Sequence, residues 1–217
     1  MFLPILPGEG DIKQNSTRTF DCKSKVLAGL LCSNKVTSMA DLLTYTYVDN
    51  SNFFIEGQRV AAVQSGIAMD IYDAIDRRVF DYSWQPDYGK LHTLVCGDKK
   101  QIGGAKLWGS PPPSDTFWEM VRRKGFQVKT YERSHGKEKK VDVAIAFEIA
   151  MDSPYIDKGN SEITLVAGDK DFVPVLERLT ADGFNVCVAF WDHAAIEMKQ
   201  KATSFFSLNG YLKHLAR

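Results

Sequence analysis

One apolar run that ends in charge constrains this chain more than any other feature. Residues 163–167 read Ile-Thr-Leu-Val-Ala, Gly168-Asp169-Lys170-Asp171-Phe172 follows at once, and from Val173 the pattern turns helical as far as Ala181. A short apolar run with little alternation marks a strand covered on both faces, and such strands belong to parallel sheets with helices on either side. In open sheets of that kind, sites form beyond the carboxyl ends of the strands. Asp169 and Asp171 therefore stand where a site belongs.

The rest of the chain repeats the alternation. Strands are expected at 44–48, 90–96, 126–132, 163–167 and 185–190. The recurrence of Val60, Val63, Ile67, Ile71, Ile75 and Val79 predicts a helix within 53–80, with Gly57 and Gly66 marking a bend or a late start. Residues 99–113, punctuated by Gly and Pro, read as a loop. Ser114 and Asp115 are placed to cap a helix over 116–124 that Gly125 stops. Further helices are expected over 141–151, 171–181, 194–201 and 205–215. Strands spaced by helices give an α/β fold of three layers, a mostly parallel central sheet with right-handed crossovers. Residues 1–40 differ in character and read as an N-terminal extension that packs on the core or is partly disordered, leaving 41–217 as one domain.

Composition excludes several classes. Lys plus Arg and Asp plus Glu both total 27, so no global basic field marks a nucleic-acid binder and any such role must rest on local charge. Cys22, Cys32, Cys96 and Cys187 form no CxxC pair, which argues against a zinc cage or a disulfide framework. Reduced thiols in a cytoplasmic protein are the simpler reading. The apolar stretch 26–32 is too short to span a bilayer, so no membrane role is expected. The stretch 97–106 lacks the GxxxxGK[ST] spacing of a phosphate loop, and no GxGxxG follows the first strand, which argues against a dinucleotide cofactor.

Acids at element boundaries carry the chemistry. Asp49 follows the first strand, Asp142 opens a helical segment, and Asp169 and Asp171 follow the apolar run. Any one of them alone reads as a turn residue or helix cap. Together they suggest a hard-metal site, because clustered carboxylates repel one another without a cation, and Mg²⁺ needs only one or two of them directly. Asn52 either supports that site or forms a local turn. Arg133, Lys137, Lys139 and Lys140 form a local basic stretch, with Phe126, Tyr131 and His135 nearby, that could track a phosphate backbone. Asp192 reads as a cap for the next helix, and His193 as a surface or capping residue rather than a general acid.

These blocks carry a resemblance. Val48-Asp49-Asn50-Ser51-Asn52, then Lys140-Val141-Asp142-Val143-Ala144, then Leu165 through Phe172, with Gly183-Phe184-Asn185-Val186 and Ala202 through Phe206, resemble the NYN family of PIN-like nucleases over roughly residues 44–212. The resemblance implies a Rossmann-like PIN fold and metal-dependent hydrolysis of RNA phosphodiester bonds. It implies Asp49, Asp142, Asp169 and Asp171 as the acids of a Mg²⁺ or Mn²⁺ site, Asp49 and Asp171 binding directly, with Asn52 in support. Lys170 stands where many relatives carry Ser or Thr. It would point outward, meet a substrate phosphate, or compete with the metal. The rival readings are a non-catalytic module that binds nucleic acid or protein, and a phosphohydrolase of small esters. Oligomeric state is left open, a homodimer included.

Overall fold

The computed structural model describes residues 42–110, 114–131 and 141–217. The N-terminal extension, with its apolar stretch 26–32, and the basic residues Arg133, Lys137, Lys139 and Lys140 lie outside them.

β1 (Leu43–Asp49) is the axis of the molecule. It pairs in parallel with β2 (Ile102–Gly109) on one side and β4 (Ser161–Val166) on the other. β3 (Gln127–Thr130) extends the sheet beyond β2, while β5 (Asn185–Phe190) and β6 (Ser204–Ser207) extend it beyond β4. The order is β3-β2-β1-β4-β5-β6, every pair parallel. Strand order therefore reverses between β1 and β4, which makes their carboxyl ends the topological switch point.

Eight α-helices appear among the described residues: α1 (Asn50–Gln64), α2 (Ile71–Asp76), α3 (Tyr88–Cys96), α4 (Asp115–Arg123), α5 (Val141–Asp152), α6 (Val173–Ala181), α7 (Ile196–Lys201) and α8 (Leu212–Leu215). Successive side chains of a strand face opposite ways. Thr46 bonds the Val95 carbonyl of α3, whereas its neighbour Tyr47 bonds Asp152 of α5, so α3 and α5 cover opposite faces. All six residues of β4 are buried, as a strand covered on both faces must be. Trp108, Trp191, Tyr47, Phe53, Phe172 and Phe190 are among the largest fully buried side chains, each adding roughly 1.5–3 kcal/mol of hydrophobic stabilisation.

The expected three-layer α/β architecture is present, with corrections in detail. Residues 90–96 are helix rather than strand. Asp87 caps α3 by accepting from the Gly89 and Lys90 amides, and Tyr88, Leu91 and Val95 recur at helical spacing on its buried face. A short apolar run is ambiguous, and here the preceding cap decides it. The second strand lies inside the expected loop, where Gly103 and Gly104 concealed it and pairing with β1 organises it. The single helix expected within 53–80 is two: α1 closes at Ser65, and α2 restarts from Asp70, whose side chain accepts from the Tyr72 and Asp73 amides. Phe205 and Phe206 lie in a sixth strand rather than a helix. Helix α6 begins at Val173, after a single 3₁₀ turn over Lys170–Phe172.

Candidate functional site

The site grows from the end of β1. Val48 lies opposite Leu107 and Val166, so Asp49 leaves the sheet level with the end of β4. Asp49 is 5% exposed and is the N-cap of α1, its Oδ1 accepting from the Asn52 amide at 3.0 Å. The Asn52 side chain turns the other way, and its Oδ1 accepts from the Gly168 amide at 2.8 Å. One residue thus joins the carboxyl ends of the two strands that flank the switch point.

Gly168 is held from its other side as well, its carbonyl accepting from the Ala195 amide at 3.1 Å. A Cβ at this position would run into the Phe190 ring, so only glycine lets the turn approach β5 so closely. Asp169 then caps the 3₁₀ turn, its Oδ1 accepting from the Asp171 amide at 3.1 Å. Buried Phe172 anchors that turn in the core, while Asp169, Lys170 and Asp171 are exposed.

Asp142 is the second residue of α5 and half-buried. Helix α5 packs against the Lys170–Phe172 turn and is clamped to the sheet further along. Lys106 of β2 bonds Glu148 and Asp152 at 2.7 Å each, Lys129 of β3 reaches Glu148 at 2.6 Å, and the Tyr47 hydroxyl donates to Asp152 at 2.7 Å. Glu148 sits below the usual carboxylate range because Lys106 and Lys129 bond it. Two acids of α5 thus anchor the helix, and a third, Asp142, stands at its start.

The sequence-derived residues separate into groups. Asp49, Asn52, Asp169 and Asp171 gather at the carboxyl ends of β1 and β4, and Asp142 stands at the start of the helix that packs against that turn. Among the described residues, no three His, Cys, Asp or Glu side chains come close enough to hold one ion. The acids stand at the carboxyl edge of the sheet, about the switch point where open sheets form their crevice, without closing into a tight three-ligand cluster. Their hard oxygens still suit a cation such as Mg²⁺, which takes one or two carboxylates and completes its shell with water and substrate oxygens.

A further charged pair adjoins the crevice. Glu56 lies one turn beyond Asn52 on α1 and bonds His193 Nε2 at 2.7 Å and Arg59. Burial works against the Glu56 charge, but hydrogen bonds from His193 and Arg59 outweigh it and hold its pKa below the ordinary value. Sequence reading set His193 aside as a surface or capping residue; it is bound to Glu56. The four-residue spacing of Asn52 and Glu56 was the available signal. Asp192 does not cap α7, whose N-cap is Ala195; its amide donates to Asn209 instead.

Comparison with known proteins bears on the fold and the family. The family described as the NYN domain matches residues 44–209. A solved structure from Vibrio parahaemolyticus, described as a protein of unknown function, superposes with a TM-score of 0.54 at 18% identity, covering 77% of this chain and 94% of that one. At that identity the likeness speaks for the fold. No curated protein matches the chain. Its parallel six-stranded sheet and the family match over most of its length lead to one statement: the chain belongs to the NYN domain family and has a PIN-like three-layer fold.

Proposed function

We propose that the chain is a metal-dependent endoribonuclease that hydrolyses RNA phosphodiester bonds in the crevice between β1 and β4. The observation that carries this reading is the Asn52 bridge, which sets Asp49 and the Asp169–Asp171 turn on either side of the switch point. Asp49, Asp142, Asp169 and Asp171 would hold Mg²⁺ or Mn²⁺. When bound, such an ion supplies charge compensation at the phosphate and a water acidified for attack on phosphorus. Asn52 keeps the two acidic strand ends in fixed relation. Lys170, exposed between Asp169 and Asp171, meets a phosphate of the substrate. The local positive charge of Arg133, Lys137, Lys139 and Lys140 suits contact with an RNA backbone. The buried thiol of Cys96 suits a reducing, cytoplasmic setting.

One observation favours a second reading, a binding module that keeps the fold without the chemistry. The acids do not close on one another among the described residues, and a lysine separates two of them. The two readings part on one experiment. Purified protein is incubated with end-labelled RNA and Mn²⁺ or Mg²⁺, with and without chelator. Cleavage that chelator silences is the expected result. Salt-sensitive RNA binding without cleavage would install the second reading, and cleavage indifferent to chelator would remove the metal mechanism.

A further inference from the structure

Helix α5 is apolar on the side it turns to solvent. Its exposed residues are Val143, Phe147, Ala150 and Met151, none of them polar or charged. Its acids Glu148 and Asp152 are instead drawn to the sheet by Lys106. Val143, Phe147 and Met151 recur every four residues, which sets them on one face. Tyr155, four residues further on in the 3₁₀ turn Ser153–Tyr155, continues the line at 86% exposure. A helix whose solvent side is apolar as well as its core side is ordinarily a covered one.

Beyond α5 the same face of the sheet holds a pocket of about 190 Å³, lined by residues including Tyr45, Gly104, Tyr155 and Ile156. Tyr45 lies two residues before Tyr47 on β1, so both face the side of α5. Tyr155 belongs to both the stripe and the pocket, which makes them one apolar track.

The track ends where the chain enters the fold. The described residues begin at 42, and Leu43 opens β1 two residues before Tyr45. The apolar run Val-Leu-Ala-Gly-Leu-Leu-Cys at 26–32 is joined to residue 42 by residues 33–41. A linker of that length reaches about 30 Å when extended, whereas α5 is only about 18 Å long. The run can therefore reach any point of the track. Charge agrees, since Lys23 and Lys25 precede the run and Lys35 follows it, while Asp142 and Asp157 stand beyond the two ends of the stripe. Area argues against a second copy. With about 150–250 Å² for a whole aromatic side chain, the exposed parts of Val143, Phe147, Met151 and Tyr155 offer on the order of 500 Å², less than the ~800 Å² per partner of a stable interface.

We infer that residues 26–32 of this same chain lie along the α5 track, their leucines against Val143, Phe147 and Met151. The contact braces the helix that carries Asp142. It uses none of the acids, so it is independent of catalysis.

The test uses the full chain with Met151→Cys and Cys22→Ser, which keeps Cys32 as the native partner thiol while Cys96 and Cys187 are buried. A short bismaleimide is expected to join Cys32 to position 151 within one molecule, as located by peptide mass spectrometry. Tyr72→Cys in place of Met151→Cys, also at an exposed position, is expected to crosslink at least about tenfold less. Leu30→Asp with Leu31→Asp should reduce the 32–151 product at least about tenfold, because two buried leucines are lost. Equal crosslinking at positions 151 and 72, or a yield that the two aspartates leave unchanged, overturns the inference. A protein that sediments as a dimer and forms the product only between molecules also overturns it and puts a second copy on the track. A monomer that forms no 32–151 product overturns it as well and leaves the face to another protein.

Discussion

Asn52→Ala tests whether one side chain holds the two halves of the crevice in register. The substitution removes the Oδ1 that accepts from the Gly168 amide at 2.8 Å and leaves the Asn52 backbone bond to Asp49 in place. A net hydrogen bond contributes about 0.5–1.5 kcal/mol, and stranding a buried donor costs about 1–3 kcal/mol. Gly168 is only partly buried, so water takes up some of the loss and the expected destabilisation is about 1–2 kcal/mol. For a chain of this size that lowers Tm by roughly 2–8 °C. Urea denaturation followed by tryptophan fluorescence reads it as a lower midpoint at unchanged slope. Asn52→Asp is the companion. It retains an acceptor oxygen but places a new charge beside Asp49, Asp169 and Asp171. Added Mg²⁺ should therefore recover stability in Asn52→Asp and leave the deficit of Asn52→Ala unchanged. A midpoint for Asn52→Ala equal to wild type would refute the bridge, and equal responses of both variants to Mg²⁺ would refute the acidic character of the crevice.

Other expectations follow from individual contacts. Gly57→Ala should destabilise by about 1–3 kcal/mol, although alanine ordinarily favours a helix, because a Cβ there would sit 2.5 Å from Trp84 and 2.8 Å from Trp191; a raised Tm would contradict it. Glu56→Gln should cost roughly 1–3 kcal/mol at pH 7. The folded pKa of Glu56 is depressed, so its contribution is present above the unfolded value near 4.5 and is lost as pH falls through the lower folded value. The stability gap between wild type and Glu56→Gln should accordingly narrow only on acidification below that point, and a gap independent of pH would contradict the pairing. Burial pushes the Cys96 thiol up to about 11, so alkylation mapped by mass spectrometry should label it in urea and spare it in the folded protein at pH 8.

The parts of the fold that sequence revealed are those where periodicity and burial agree. The residues of β4 are buried without interruption and β5 spans 185–190 as expected, because both strands lie beneath helices and carry apolar side chains throughout. Agreement failed where one local signal masked another. Glycines within 102–109 imitate a loop although pairing with β1 and β3 decides their state, and the run ending at Cys96 imitates a strand until Asp87 is recognised as its cap. The acids of the crevice were visible because each sits at an element boundary. Glu56 and His193 were not, since their significance lies in each other across the fold. Glu148 and Asp152, equally acidic, serve to anchor α5 through Lys106, a distinction that spacing alone does not draw.

The central claim is that the acids at the β1–β4 crevice perform phosphodiester hydrolysis. Asp171→Asn tests it most directly, because Asp171 is exposed and its replacement should change stability by no more than about 0.5 kcal/mol. The variant is compared with wild type for RNA cleavage in Mn²⁺ and for thermal unfolding. Cleavage reduced at least about 100-fold with an unchanged Tm is the predicted result, and cleavage at the wild-type rate by a folded variant would contradict the account.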